Sequence, residues 1–434
     1  MPSHERSRTI HVEPLARVEG EASLRVEIRN GALVDLKLSI FEPPRFFEAF
    51  LRGRRADEAP DITSRICGIC PVAYQMSAVH ALERAFAVRI DPAIRLLRRL
   101  LYCGEWIESH ALHVHMLAAP DFLGCDSIVT LAARDRAAVE RGLRLKRVGD
   151  AILELLGGRS VHPVGVRIGG FSRVPRRRDL APLREALLRA RADAEACLAW
   201  VAGFDLPQAE AATEFVALRH TDEYPFNEGD LVSSAGLAAV QTEFEDQFHE
   251  YQEAHSTALF ARRQAGSTPY FVGPLARLNL NFDHLGDDVA AAARATGIAW
   301  PCSNPFASIV ARAVEILWAI DEALRCIEAY EPPAAPAAAW EPRAASGSAV
   351  TEAPRGILYH RYDVDAAGLI SGAKIVPPTS QNQAQMEADL RRLVPRLLEL
   401  GDDEATRLCE TAIRNYDPCI SCATHFLNLE IIRS

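Results

Sequence analysis

The sequence lacks the marks of several large protein classes. Ten cysteines in 434 residues are too sparse for a fold stapled by disulfides. Positive charge is not in excess. The formal net charge is −10, which argues against nucleic acid or an anionic membrane as the main partner. No apolar run approaches the roughly 18 residues of a membrane span. The opening stretch, MPSHERSRTIHVEP, has none of the apolar centre of a secretory signal. A cytoplasmic location is therefore expected. No internal repeat is visible.

What is present describes a globular chain. Apolar residues make up 49% and charged residues 24%, enough for a sizeable core at this length. Residues 20–41 read as a β-hairpin. Leu24, Val26 and Ile28 alternate with polar residues, Asn30-Gly31 supplies the turn, and Val34, Leu36, Leu38 and Ile40 alternate again. Apolar spacing of three and four predicts helices over 72–88, 92–117, 128–156, 179–202, 236–266, 303–330, 384–400 and 403–415. Several exceed twenty residues, which suits a long-helix bundle. The predicted fold is mainly α with small β regions (α+β), in one domain spanning 1–434. Its parts are a β-rich start (1–60), a helical bundle (61–330), a Pro/Ala-rich connector (331–349) and a C-terminal part (350–425) with strands near 350–380. A tail follows at 426–434.

Six cysteines stand alone: Cys103, Cys125, Cys197, Cys302, Cys326 and Cys409. They read as small buried hydrophobes. The other four form two C-x-x-C pairs, Cys67/Cys70 just before a helix and Cys419/Cys422 beside the chain end, with His425 three residues on. Each pair lets two thiolates converge on one ion. Three readings stay open on spacing alone. Zinc ribbons keep their pairs about 15–20 residues apart, whereas nearly the whole chain separates these. A zinc staple would thus have to join the first and last parts of one fold. Two redox dithiols would each want a thioredoxin-like βαβ setting, which neither has. The third reading is a four-thiolate site for a transition metal that prefers soft ligands.

The context of the pairs is specific. SRICGICP near the start and YDPCISCATH at the end together resemble the large subunit of nickel–iron hydrogenases. So do PLARVEGEASLRV, FFEAFLRGR, EAPRGILYH and IVPPTSQNQ, which carry that family's R-x-E-G, F-x-x-E, A-P-R-G and V-P-x-T-x-N segments. These landmarks run from residue 14 to 425. The form CGICPVAYQ and the compact length look like the cytoplasmic, bidirectional, NAD(P)-linked branch, which includes sulfhydrogenases.

The resemblance implies a set of roles. Cys67 and Cys419 would be terminal nickel ligands. Cys70 and Cys422 would bridge nickel to an iron that carries carbon monoxide and cyanide. Arg355, preceded by Pro354 in the cofactor-binding A-P-R-G segment, would lie over the open metal position, oriented by Asp417. Asp121, in LAAPDFL, aligns with a further pocket aspartate. Glu19 would carry protons from Cys419. Thr379 would hydrogen-bond a cyanide. Glu48, His425 and the backbone carbonyl of Gln383 would hold a magnesium or iron ion. One departure stands out: Tyr74 occupies the place where many relatives have a histidine that donates to a bridging sulfur. His80, His110, His113 and His115 read as packing or surface residues.

The activity implied is H₂ ⇌ 2H⁺ + 2e⁻. With no further cysteine group fit for iron–sulfur clusters, the chain needs an iron–sulfur small subunit, with flavin and iron–sulfur diaphorase subunits reaching NAD(P). A maturation endopeptidase would cut after His425, removing 426–434. The rival classes are a non-catalytic complex-I-type relative, which would lack the four cysteines, and a zinc-stapled structural subunit.

Overall fold

The computed structural model describes residues 8–43 and 45–424. The expectations for His425 and for the tail at 426–434 lie outside the described residues.

The N-terminal hairpin forms where the alternation placed it. Strands Ala22–Arg29 and Ala32–Ile40 pair antiparallel. Asn30 and Gly31 both take positive φ, 53° and 79°, as the tight primed turn requires. Leu24, Val26, Ile28, Leu36, Leu38 and Ile40 are buried. A register shift at Glu27/Ile28 accompanies the exposure of Val34, 53%. A third strand, Arg8–Val12, adds to the free edge of Ala22–Arg29 and was not anticipated.

Eight helices carry the rest of the argument: α1 (Pro71–Phe86), α2 (Pro92–Leu112), α3 (Arg136–Gly157), α4 (Ala181–Ala202), α5 (Pro274–Asn281), α6 (Ser308–Ala329), α7 (Pro378–Leu397) and α8 (Asp402–Arg414). α1 is buried along almost its whole length. Asp91 caps α2, its side chain accepting from the Ala93 N–H at 2.7 Å. α2 lies against α3 and α6, and α4 against α3 and α6. The α2–α3 contact depends on absent side chains, since a Cβ on Gly149 would stand 2.6 Å from the carbonyl oxygen of Gly104.

A three-stranded antiparallel sheet, Ala345–Ala353, Gly356–Val364 and Ile370–Val376, covers α1. Its first strand begins inside the stretch read as connector. The turn between its first two strands is Pro354-Arg355. Its position against α1 therefore brings Arg355 to the end of the molecule where α1 begins.

Three helix expectations change. Residues 236–266 are not helical. They hold a short strand, Ala238–Ala239, one helical turn at Phe244–Gln247, and the antiparallel pair Phe248–Gln252 with Leu259–Arg263. The apolar spacing is real, but Phe244 stacks on Tyr359 and Phe248 packs on Tyr270, so contacts with the sheet and a strand pairing use it instead. The stretch 128–156 breaks at Asp135, which caps α3 through the Ala138 N–H. α7 begins at Pro378, ahead of the expected 384. No helix among the described residues is long and apolar enough to cross a membrane.

Candidate metal centre

The two cysteine pairs meet. Cys70 is the N-cap of α1, with Pro71 in the first turn, where proline's missing N–H costs nothing. The positive end of the helix favours negative charge there, but burial outweighs it at the Cys70 thiol. Two of the free N–H groups of that turn, from Val72 and Ala73, donate to buried Glu105 of α2 at 2.6 and 3.0 Å. The N–H groups of Ile69 and Cys70 donate to the Cys67 sulfur at 3.3 and 3.1 Å. The first pair is thus made by one loop and the start of one helix.

The second pair is placed from a distance. Ile420 N–H donates to the Glu19 carbonyl at 2.9 Å, and Glu19 and Cys419 form an isolated parallel bridge. Gly20, φ 89°, must be glycine here, because a Cβ would stand 2.6 Å from the Ile420 side chain. Cys419 N–H donates to Thr379 Oγ1 at 3.0 Å. Arg45 donates to the carbonyls of Ile66, 2.6 Å away, and Ser421. One guanidinium thus ties the residue before Cys67 to the residue before Cys422. Arg45 N–H also donates to the Thr424 carbonyl at 2.7 Å.

All four cysteines are buried, and none forms a disulfide. The Cys67 sulfur lies 2.8 Å from that of Cys70 and 3.6 Å from that of Cys419. The sulfurs of Cys67, Cys419 and Cys422 lie within 4.8 Å of one another. Burial works to raise all four thiols. Hydrogen bonds from Cys419, Cys422 and Cys70 overcome this at Cys67 and hold it well below the ordinary range. Cys70 and Cys419 are pushed well above it, and Cys422 above it. Four soft donors crowded on one buried point fit a thiophilic transition metal.

Charge and proton groups surround the sulfurs. Cys419 Sγ donates to Glu19 Oε2 at 3.1 Å, and Ser421 N–H donates to the same oxygen at 3.1 Å. Arg355 is 3% exposed and donates through Nε to the Asp417 carbonyl at 2.7 Å and through Nη2 to Asp417 Oδ1 at 3.1 Å. Asp417 and the cysteine sulfurs beside it hold Arg355 charged against its burial. Its Nη1 and Asp417 Oδ2 are buried and bond to no protein group. Burial raises the Asp417 carboxyl, opposed by Arg355 and by Arg312 of α6. Arg312 donates to the Asn415 carbonyl at 2.9 Å.

The remaining expected residues divide. Tyr74 is fully buried with an unpartnered hydroxyl in the field of the four cysteines. Asp121 accepts from Arg17, and from Arg414 at 2.6 and 2.8 Å. Glu48 accepts from the Ile375 N–H at 2.8 Å. The Gln383 side chain donates to the Leu259 carbonyl at 3.1 Å. The histidines pack: His110 meets Glu315 at 2.9 Å, His113 the Arg414 carbonyl at 2.7 Å, and His115 stacks on Trp200. Of the isolated cysteines, only Cys302 is not fully buried. Sequence reasoning missed Arg45, Glu105, Arg312 and the buried Arg277. Arginine and glutamate in apolar surroundings at helical spacing were the only signal.

The sequence profile of the family described as "Nickel-dependent hydrogenase" matches residues 45–147. The chain is 31% identical over 424 residues to sulfhydrogenase 1 subunit alpha of Pyrococcus furiosus, covering 97% of this chain and 98% of that one. It is 31% identical over 428 residues to sulfhydrogenase 2 subunit alpha of the same organism, covering 97% and 100%. A crystal structure of an NAD⁺-reducing [NiFe]-hydrogenase in the H₂-reduced state superposes with a TM-score of 0.87 at 28% identity, over 97% of this chain and 100% of that one.

Proposed function

This chain belongs to the nickel-dependent hydrogenase family as a catalytic subunit, and on that premise we propose how its residues divide the work. Cys67, Cys70, Cys419 and Cys422 would hold the nickel–iron centre. When bound, that centre supplies the two-electron chemistry of H₂ ⇌ 2H⁺ + 2e⁻. The single observation that carries the assignment is the convergence of four buried cysteine sulfurs within the electrostatic reach of Arg355, with Glu19 3.1 Å from the Cys419 sulfur.

Glu19 takes a proton from Cys419 Sγ and releases it outward. A carboxyl does this with little motion, and the Ser421 N–H holds it in place. Arg355 presents a fixed positive charge to the pocket, locked on Asp417 by two donors. Thr379 accepts from the Cys419 N–H, which leaves its own O–H to donate toward a diatomic ligand such as cyanide on the iron. Pro354, buried just before Arg355, would line the same pocket. Glu48, His425 and the Gln383 carbonyl take a magnesium or iron ion. The N–H of Arg45 on the Thr424 carbonyl supports this, because it brings the segment leading to Glu48 beside the residue that precedes His425.

The electrons leave through an iron–sulfur small subunit toward NAD(P), by way of diaphorase subunits, in a cytoplasmic complex. A maturation endopeptidase cuts after His425.

Three measurements on the purified enzyme test the reading: nickel by elemental analysis, H₂-dependent dye reduction, and infrared bands of iron-bound carbon monoxide and cyanide. Arg355→Lys keeps the charge and loses the planar fork. Nickel and the infrared bands are expected to stay while turnover falls by roughly a hundredfold or more. An unchanged rate would place Arg355 outside the reaction.

A further inference from the structure

Behind the Arg355 turn lies a buried charge web. Arg277 of α5 is 0% exposed, and all five of its N–H donors are used. Nε and Nη2 reach the two oxygens of Glu315 on α6, both at 2.8 Å. Nη1 reaches Glu352 Oε2 at 3.0 Å and the Ala353 carbonyl at 2.8 Å. Nη2 also reaches the Pro354 carbonyl at 2.9 Å. The guanidinium lies over the Trp106 ring, 4.1 Å from its centroid.

The partners are themselves fixed. Glu315 also accepts from Tyr224 at 2.8 Å and meets His110 at 2.9 Å. Burial lowers His110 to about 4, so it is neutral at pH 7 and donates through Nε2–H. The other oxygen of Glu352 accepts from the Leu218 N–H at 2.7 Å. The web is anchored in α2, α5, α6 and the strand Val216–Arg219. Its only backbone acceptors on the Arg277 guanidinium are the two carbonyls immediately before Arg355.

A salt bridge alone would need none of those carbonyl bonds. Arg277 could satisfy Glu315 and Glu352 from many positions. Spending two donors on Ala353 and Pro354 fixes the peptide from which the Arg355 side chain leaves. We propose that Arg277 is a positioning residue for Arg355, setting the aim of that guanidinium into the metal pocket. The proposal rests on the reading of Arg355 given above. A displacement of about 1 Å at a reacting site can cost roughly a hundredfold in rate, so control of this turn is worth two buried donors.

Lysine has three donors and no planar fork. Arg277→Lys therefore keeps the buried charge and cannot hold both carboxylates and both carbonyls. The test is a double-mutant cycle with Arg355→Lys on the purified enzyme. In the wild-type background, Arg277→Lys is expected to lower kcat ten- to roughly a hundredfold with KM for H₂ and nickel content unchanged. In the Arg355→Lys background it is expected to cost no further activity, while lowering Tm by the same amount in both. Hydrogen exchange read by mass spectrometry is expected to accelerate in the peptide spanning 353–357. An equal loss of activity in both backgrounds, or unaltered exchange at 353–357, overturns the proposal and leaves the Arg355 reading intact. A single Arg355→Lys without effect sinks that reading instead. Should Arg277→Lys fail to accumulate, Glu315→Gln removes the bidentate partner of the fork and enters the same cycle under the same criteria.

Discussion

The two cysteine pairs reach one point by opposite routes. Cys67 and Cys70 are set by their own neighbourhood: a loop, the first turn of α1, and Glu105 one helix away. Cys422 sits in a short 3₁₀ turn, Ile420–Thr424, and Cys419 just before it, with almost no local support. Glu19, Thr379, Arg45 and the Arg355–Asp417 pair hold them across sequence separations that run from 40 to 400 residues. Local contacts form early and at little cost in loop closure, whereas long-range ones need the rest of the fold in place. The first arm is therefore held mainly by its own neighbourhood, and the second depends on the rest of the fold.

Both arms supply sulfur, so the largest effect falls on either equally. Cys67→Ser and Cys419→Ser each replace a soft ligand by a harder one. Nickel retention and H₂ turnover are expected to be lost in both. An active, nickel-loaded Cys419→Ser enzyme would break the four-thiolate assignment.

The same conservative change in each arm then separates chemistry from support. Glu19→Gln keeps an oxygen for the Ser421 N–H and removes the titratable group. Net H₂ uptake is expected to fall by orders of magnitude with nickel content and Tm little changed. Retained uptake would route the proton from Cys419 elsewhere. Glu105→Gln keeps one acceptor for the α1 turn and loses the other. The expected cost is about 1–2 kcal/mol of stability, read as a lowered Tm, with turnover per bound nickel preserved. A variant with normal Tm would deny Glu105 its part in holding the first arm.

The contrast also explains what could be read from the sequence. Local devices were legible: the Asn30-Gly31 hairpin, the cysteine pairs and α1 behind Pro71 all announce themselves within a few residues. What was missed depends on partners far along the chain. The start of α7 reads as polar, TSQNQ, yet Thr379, Gln381, Asn382 and Gln383 all bond to distant backbone. Asn382 exchanges two hydrogen bonds with Val272, at 2.9 and 3.0 Å, and Gln381 donates to the Ile357 carbonyl at 2.6 Å. No apolar periodicity marks such a helix. In 236–266 the error ran the other way, because Phe244 and Phe248 share a helical spacing but pack on Tyr359 and Tyr270. Arg277, with no local motif, becomes visible only once Glu315 and Glu352 stand beside it.

The smallest effect probes the frame behind the first arm. Glu108 lies one turn beyond Glu105 on α2, 5% exposed, with Lys146 of α3 at 3.3 Å. Burial and Asp150 push its carboxyl up to about 8, with Lys146 opposing. At pH 6–7 the folded chain therefore keeps a proton that the unfolded chain has already released. The folded state binds more protons, so stability from this group declines as pH rises from about 4.5 to about 8. Glu108→Gln keeps the shape and removes the titration. The difference in Tm between wild type and Glu108→Gln is expected to move in the variant's favour as pH rises from 5 to 8, while turnover per nickel is unaffected. A difference that stays constant across that range would mean Glu108 is already ionised in the fold and paired with Lys146. A change in turnover would instead draw this part of α2 into the reaction and weaken the separation between frame and chemistry.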